Sequence, residues 1–191
     1  MATAHVRPLP TQLTNVAPGV YAFVQPDGGW CLNNAGLIVD GDDAIVIDTA
    51  ATERRARRLR QAVEQVTRRP PRVVVNTHFH GDHCLGVPGI VQRLALDRVR
   101  QPVHAHFPAS GRDYFARLHH ACLYHDTLEL REHPVSGDGP IATGAFGTLE
   151  ARRLDHGVEA FGYRLTEPDG LRFRKDRLAH FGIRGADVAR L

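Results

Sequence analysis

The sequence predicts an α/β layered domain, and three observations predict it. A strand, a long helix and a second apolar strand follow one another between residues 44 and 76. Short apolar runs bounded by Gly, Pro and Asp recur along most of the chain. Finally, 42% hydrophobic and 24% charged residues over 191 positions supply one packed core and are too apolar for a disordered chain.

Residues 19–24 read as a strand that closes at Gln25-Pro26-Asp27-Gly28-Gly29. The runs 35–39 and 44–47 flank Asp40-Gly41-Asp42-Asp43 and read as a hairpin. Residues 52–69 form a helix pattern with Ala56, Leu59, Val63 and Val66 on one stripe, ended by Pro70-Pro71. Arginines at 54, 55, 57, 58 and 60 occupy its other faces as a solvated surface. Residues 72–76 are a buried strand, which completes a βαβ-like unit. A helix over 89–96, a strand over 103–106, and a helix over 110–123 carrying Tyr114, Leu118, Ala121 and Cys122 come next. Strands then fill 127–165, with turns at Gly137, Gly139, Gly144 and Gly147, and 172–181 is a last short helix. With no linker and no repeat, residues 1–191 read as a single domain.

Charge and cysteines narrow the classes. Lys+Arg 24 against Asp+Glu 21 leaves +3, no footprint of a nucleic-acid binder. Only Lys175 is a lysine, and so uniform an arginine bias reads as coding composition. No run approaches the ~20 apolar residues of a membrane span, and residues 1–10, with His5 and Arg7, lack a leader's apolar stretch. Cys31, Cys84 and Cys122 are scattered and odd in number, without a disulfide framework or a CxxC ribbon. These features predict a cytoplasmic protein with no membrane partner.

The chemistry concentrates in Thr77-His78-Phe79-His80-Gly81-Asp82-His83. With 12 His and 14 Asp in the chain, about 0.003 HxHxDH matches arise by chance. In extended backbone His78 and His80 project to one side and reach one metal. A turn at Gly81 redirects Asp82 and His83 toward a second, adjacent position. Imidazoles and a carboxylate suit zinc, and manganese or iron accept the same ligand types.

At this motif the chain resembles the metallo-β-lactamase superfamily of zinc hydrolases. Asn34-Ala35-Gly36, Ile45-Val46-Ile47-Asp48-Thr49 and the HxHxDH loop follow that family's order. The resemblance implies a four-layer αββα sandwich with one or two ions at an edge of the paired sheets. It also implies that Asp48 supports the metal loop; on residue type alone Asp48 is equally a turn residue or a helix cap. Cys84-Leu85-Gly86-Val87-Pro88-Gly89-Ile90 is similar to ribonuclease Z, the tRNA 3′-end processing branch, and 107–111 resembles a loop of that branch. So does His156-Gly157-Val158-Glu159-Ala160-Phe161-Gly162-Tyr163-Arg164-Leu165. That match implies His156 as the third ligand beside His78 and His80; spacing alone leaves it one histidine among twelve. The resemblance further implies Asp82 as a ligand that orients the nucleophile, His83 as a ligand, tRNA as a partner and a homodimer.

Two departures carry expectations of their own. Residues 28–36 resemble generic hydrolases of the superfamily, so family character changes near 83/84, which predicts a joined or hybrid sequence. The chain also stops before the bridging aspartate and final histidine of ribonuclease Z, and Asp169, Asp176 and Asp187 lie too near His156 to match them. The sandwich is therefore expected to be incomplete in its C-terminal half, and tRNA processing to be weak. The rival readings are a thioester, lactone or β-lactam hydrolase, and a catalytically poor metal-binding fragment or interaction subunit. His104, His106, His119, His120, His125 and His133 are expected as surface or satisfied histidines. Cys84 is expected as a buried loop thiol.

Overall fold

The computed structural model describes residues 12–25, 32–41, 43–144 and 146–167, together with 178, 180 and 182. The helix expected over 172–181, the turn at 26–29 and Asp169, Asp176 and Asp187 lie outside the described residues, apart from 178 and 180.

The first two strands, β1 (Gln12–Ala17) and β2 (Val20–Val24), pair antiparallel around Gly19. Gly19 has φ 71°, and a Cβ there would lie 2.4 Å from the Val39 carbonyl oxygen, so glycine is required. β1 carries no strand pattern in the sequence, because Gln12, Thr14 and Asn15 break any apolar alternation. Strands β3 (Ala35–Asp40) and β4 (Asp43–Ile47) form the expected hairpin, with Asp40 opposite Asp43. Helix α1 (Glu53–Val66) starts at Thr52, whose hydroxyl accepts the Arg55 N–H at 3.4 Å. It stops at Thr67, before the prolines, because Thr67 is extended and its hydroxyl accepts the Arg69 N–H at 3.1 Å.

Strand β5 (Val73–Val75), the one-turn helix α2 (Gly81–Cys84) and α3 (Val87–Leu96) come next. Strand β6 (Val103–Pro108) then runs through a 3-10 turn (Ala109–Gly111) into α4 (Arg112–His119). That helix is shorter than expected, and its inward face is Phe115, not Tyr114. Phe115 stacks on Phe107 at 4.2 Å between ring centroids, while Tyr114 is 56% exposed. The last strands are β7 (Leu130–Val135), β8 (Gly139–Gly144), β9 (Gly147–Leu154) and β10 (Ala160–Thr166).

The strands form a seven-stranded sheet in the order β1-β2-β3-β4-β5-β6-β7 and a three-stranded sheet in the order β10-β9-β8. β4, β5, β6 and β7 are parallel, as their helical connections require. Alternation along the strands sorts the core into two layers. Leu37 and Val46 pack with Val63 and Val66 of α1. Val74, Ala105 and Phe107 pack with Val91, Leu94 and Phe115 of α3 and α4. Their neighbours Ile38, Ile45 and Val75 turn the other way onto Leu149 of the small sheet. The described residues thus supply three layers of the expected αββα sandwich: helices, large sheet, small sheet.

Candidate metal centre

Parallel strands end at one edge of a sheet, so the segments after β4, β5 and β6 meet there. Asp48 follows β4, Asn76 to His80 follow β5, and Ala109 to Gly111 follow β6. The small sheet adds the tip between β9 and β10, whose ladder opens at the pair Leu154–Ala160. The Phe161 N–H donates to the Thr77 carbonyl at 3.0 Å, which docks that hairpin on the motif loop.

This docking brings His156 to His78 and His80. One ring nitrogen from each of the three lies within 4.8 Å of the others, and no second such convergence of His, Cys, Asp or Glu occurs among the described residues. His156 Nε2 is 3.3 Å from His80 Nδ1. Two nitrogens on one tetrahedral zinc, at Zn–N distances of 2.0–2.1 Å, stand about 3.3 Å apart. Three imidazoles are a donor set that suits zinc, and the His80–His156 pair already stands at the spacing of two ligands on one ion.

Asp48 governs the orientation of this loop. It sits at φ 61°, a left-handed conformation that Asp tolerates better than most residues. Its Oδ1 accepts the Thr77 N–H at 2.8 Å, and its Oδ2 accepts the Thr77 hydroxyl at 2.7 Å. The hydroxyl proton is committed there, so Thr77 Oγ1 accepts from His78 Nδ1 at 2.9 Å. His83 Nδ1 likewise donates to Asp48 Oδ2 at 2.8 Å. Both imidazoles are thereby held as Nδ1–H tautomers with Nε2 free to ligate.

Electrostatics divide the two rings. Burial pushes His78 down to about 4; the His83, His80 and His156 rings lower it further against an opposing pull from Asp48. It is a neutral ligand at pH 7. Burial lowers His83 too, but the Asp48 hydrogen bond and charge, with Asp82, more than reverse this and leave it above its ordinary value. Asp82 Oδ2 lies 3.6 Å from His83 Nε2, and the His83 ring is 4.0 Å from the His78 ring. The structure therefore brings Asp82 and His83 beside the trio, not into it. Here α2 is the turn expected at Gly81.

His104, His106, His119, His120 and His133 make contacts of their own. His104 Nδ1 meets His133 Nε2 at 2.8 Å, and His106 stacks on His133 at 4.7 Å. His119 pairs with Asp126 at 3.1 Å and stacks on His120 at 4.3 Å. An open groove of about 380 Å³ between β7 and β8 is lined by His106, His133, Ser136 and Asp138, without the trio. Cys84 is buried, as expected, and burial pushes its thiol up to about 11.

Spacing alone did not find the residues that hold the loop. Thr49 receives the last strand of the support: its hydroxyl donates to the His83 carbonyl at 2.7 Å and accepts the Gly86 N–H at 3.0 Å. Asn33 Nδ2 holds the Thr49 carbonyl at 2.7 Å. The Asn76 side chain donates to the His78 carbonyl, and the Tyr163 hydroxyl donates to the Asn76 carbonyl at 3.4 Å.

Residues 28–165 match the model of the metallo-β-lactamase superfamily. Ribonuclease Z of Nocardia farcinica (strain IFM 10152) is 47% identical over 161 residues, 83% of this chain and 51% of the relative. Ribonuclease Z of Chlamydia caviae is 38% identical over 176 residues, 92% of this chain and 51% of the relative. The chain spans about half the length of these curated relatives. Among solved structures, the short form of human tRNase Z superposes with a TM-score of 0.56 at 18% identity, over 70% of this chain and 56% of that one. The mono-zinc metallo-β-lactamase FIM-1 of Pseudomonas aeruginosa gives 0.54 at 18%, over 83% and 66%. The fold is shared with both, and the family match runs from residue 28, ahead of β3, into β10, the strand that follows His156: the chain belongs to the metallo-β-lactamase superfamily.

Proposed function

We propose that this chain acts as a zinc-dependent hydrolase of the ribonuclease Z type, on phosphodiester bonds at the 3′ ends of tRNA. The observation that carries the reading is the convergence of His156 on His78 and His80 from a separate sheet. The ribonuclease Z relatives, which match 83% and 92% of this chain, support the substrate class. The reading also takes the chain as one domain, because β1 to β5 before residue 83 and β6 and β7 after it share one sheet.

His78, His80 and His156 would hold the zinc ion, which when bound would supply Lewis-acid chemistry toward a phosphoryl oxygen and an attacking water. The protein's part is orientation and proton handling. Asp48 and Thr77 fix the tautomers that present Nε2 of His78 and His83. The reading assigns the nucleophile-orienting role to Asp82, which lies partly exposed beside His83.

Elemental analysis of the chain purified without chelator, beside His156→Ala, tests the site. Zinc in the parent and its loss in the variant support the reading; unchanged stoichiometry removes His156 from it. Cleavage of a precursor tRNA carrying a 3′ trailer, run against bis(p-nitrophenyl) phosphate and an acyl thioester, tests the substrate. Turnover of the thioester alone overturns the phosphodiester assignment. A homodimer belongs to the same proposal, and light scattering that reports a monomer at micromolar concentration removes it.

A further inference from the structure

His156, exposed like His80, rides on the five-residue tip between Leu154 and Ala160, outside the strand ladder. Something other than sheet pairing must set where its ring stands. We propose that Glu159 is a positioning residue for the metal site: it clamps the His156 tip to the turn that backs the HxHxDH loop. The proposal rests on the reading of His156 as a ligand.

The clamp is built from both oxygens of one carboxylate. Glu159 Oε2 accepts the Ser110 N–H at 2.9 Å, across 49 residues of sequence. Glu159 Oε1 accepts from Arg153 Nη2 at 2.9 Å. Arg153 is itself fixed. Its guanidinium lies 5.2 Å from the centroid of the buried Phe161 ring and donates to the Ser136 carbonyl at 2.9 Å. Its backbone N–H donates to Asp138 at 2.7 Å. The Glu159 side chain is 16% exposed, against 52% for Arg153, so the pair is partly shielded from solvent. Burial alone would raise the Glu159 pKa, but the bonds from Ser110 and Arg153 outweigh it and keep the carboxylate ionised.

The other end of the clamp reaches the metal loop. Ser110 precedes Gly111, where a Cβ would stand 1.8 Å from the Phe79 ring, so turn and ring are in direct contact. Phe79 lies between His78 and His80 and packs on Phe107 and Tyr114. A route of contacts therefore runs from His156 through Glu159, Ser110, Gly111 and Phe79 to the other two ligands, without passing through a metal. It closes one side of the site; the Phe161–Thr77 hydrogen bond closes the other. Groups that orient ligands in this manner change metal affinity about 10–100-fold when removed.

The test measures zinc affinity of the full chain by chelator competition, with the visible spectrum of the cobalt-loaded protein as the second readout. Glu159→Ala is expected to bind zinc about 10–100-fold more weakly and to shift the cobalt bands. Glu159→Gln keeps an oxygen for Ser110 but cannot accept from Arg153 with its amide nitrogen, and is expected to fall between; it also carries the test if the alanine variant does not fold. A merely structural Glu159 would lower the melting temperature of the metal-free protein and leave zinc affinity and cobalt spectrum as in the parent, which overturns the proposal. His156→Ala separates the two levels. If it weakens zinc binding while both Glu159 variants do not, the clamp is wrong and the metal site stands. If His156→Ala also binds as the parent, the metal reading fails and the clamp with it.

Discussion

Asp48 and His83 are joined through Asp48 Oδ2 and His83 Nδ1 at 2.8 Å, and the same oxygen takes the Thr77 hydroxyl at 2.7 Å. One carboxylate thus sets the orientation of residues 35 and 29 positions away. Asp48→Asn is the variant that isolates this role, since Asn also tolerates the left-handed backbone at φ 61°. Its amide nitrogen cannot accept from either group bonded to Oδ2. Zinc affinity is expected to fall about 10–100-fold, with the fold retained. Chelator competition beside a thermal melt reads both, and parental affinity in a folded Asp48→Asn would remove the carboxylate from the support of the site.

Gly86→Ala tests the packing beneath the same loop. A Cβ at Gly86 would stand 2.6 Å from Thr49 Cβ and 2.9 Å from the Ala50 carbonyl oxygen, and the second of these is backbone. Thr49 cannot retreat without releasing the His83 carbonyl. Overpacking of this kind costs about 1–3 kcal/mol. Urea unfolding of the metal-free chain should show that loss, and a midpoint equal to the parent's contradicts the geometry.

What the sequence disclosed follows a physical line. The β3–β4 hairpin, α1 and β5 were readable because local turn chemistry and apolar period dictate them, and His78 and His80 because alternation in extended backbone is a local rule. The position of Asp48 against Thr77 and His83 is set by parallel pairing of β4 with β5, a non-local contact that no spacing records. His156 came only from resemblance, because its place depends on one sheet docking on another through Phe161 and Thr77. Glu159 left no signal at all: its partner Ser110 is 49 residues away and offers only a backbone N–H. Of the residues at helical spacing in α4, Leu118 packs on the core but Tyr114 does not, since Phe107 across the core draws Phe115 inward.

Cys84 and Cys122 should differ in reactivity. Burial leaves Cys84 5% exposed and pushes its thiol up to about 11, whereas Cys122 is exposed. At pH 8 only about one Cys84 in a thousand is then thiolate, the nucleophilic form. Iodoacetamide at pH 8 is expected to label Cys122 in the native chain and Cys84 only after urea unfolding. Peptide mass mapping distinguishes them, and equal native rates would show that the thiol behind the metal loop is open to solvent.

His106 is 5% exposed, and burial, then the His133 and His104 rings, push its pKa down to about 4 from an ordinary 6.5. Between these values the unfolded chain binds a proton at this residue that the folded chain does not, so acidification favours unfolding. The sign is fixed: His106 imposes no penalty above pH 6.5, a growing one as pH falls toward 4, and a constant one below. A shift of that size is worth about 3 kcal/mol in full. His106→Leu removes the titration while keeping an apolar side chain of similar length. His78, lowered in the same direction, is present in both proteins and cancels from the difference. Unfolding free energies from urea titrations between pH 4 and 7 should therefore fall less steeply with acid in His106→Leu than in the parent. Parallel pH dependences would mean that His106 is protonated alike in the folded and unfolded chain.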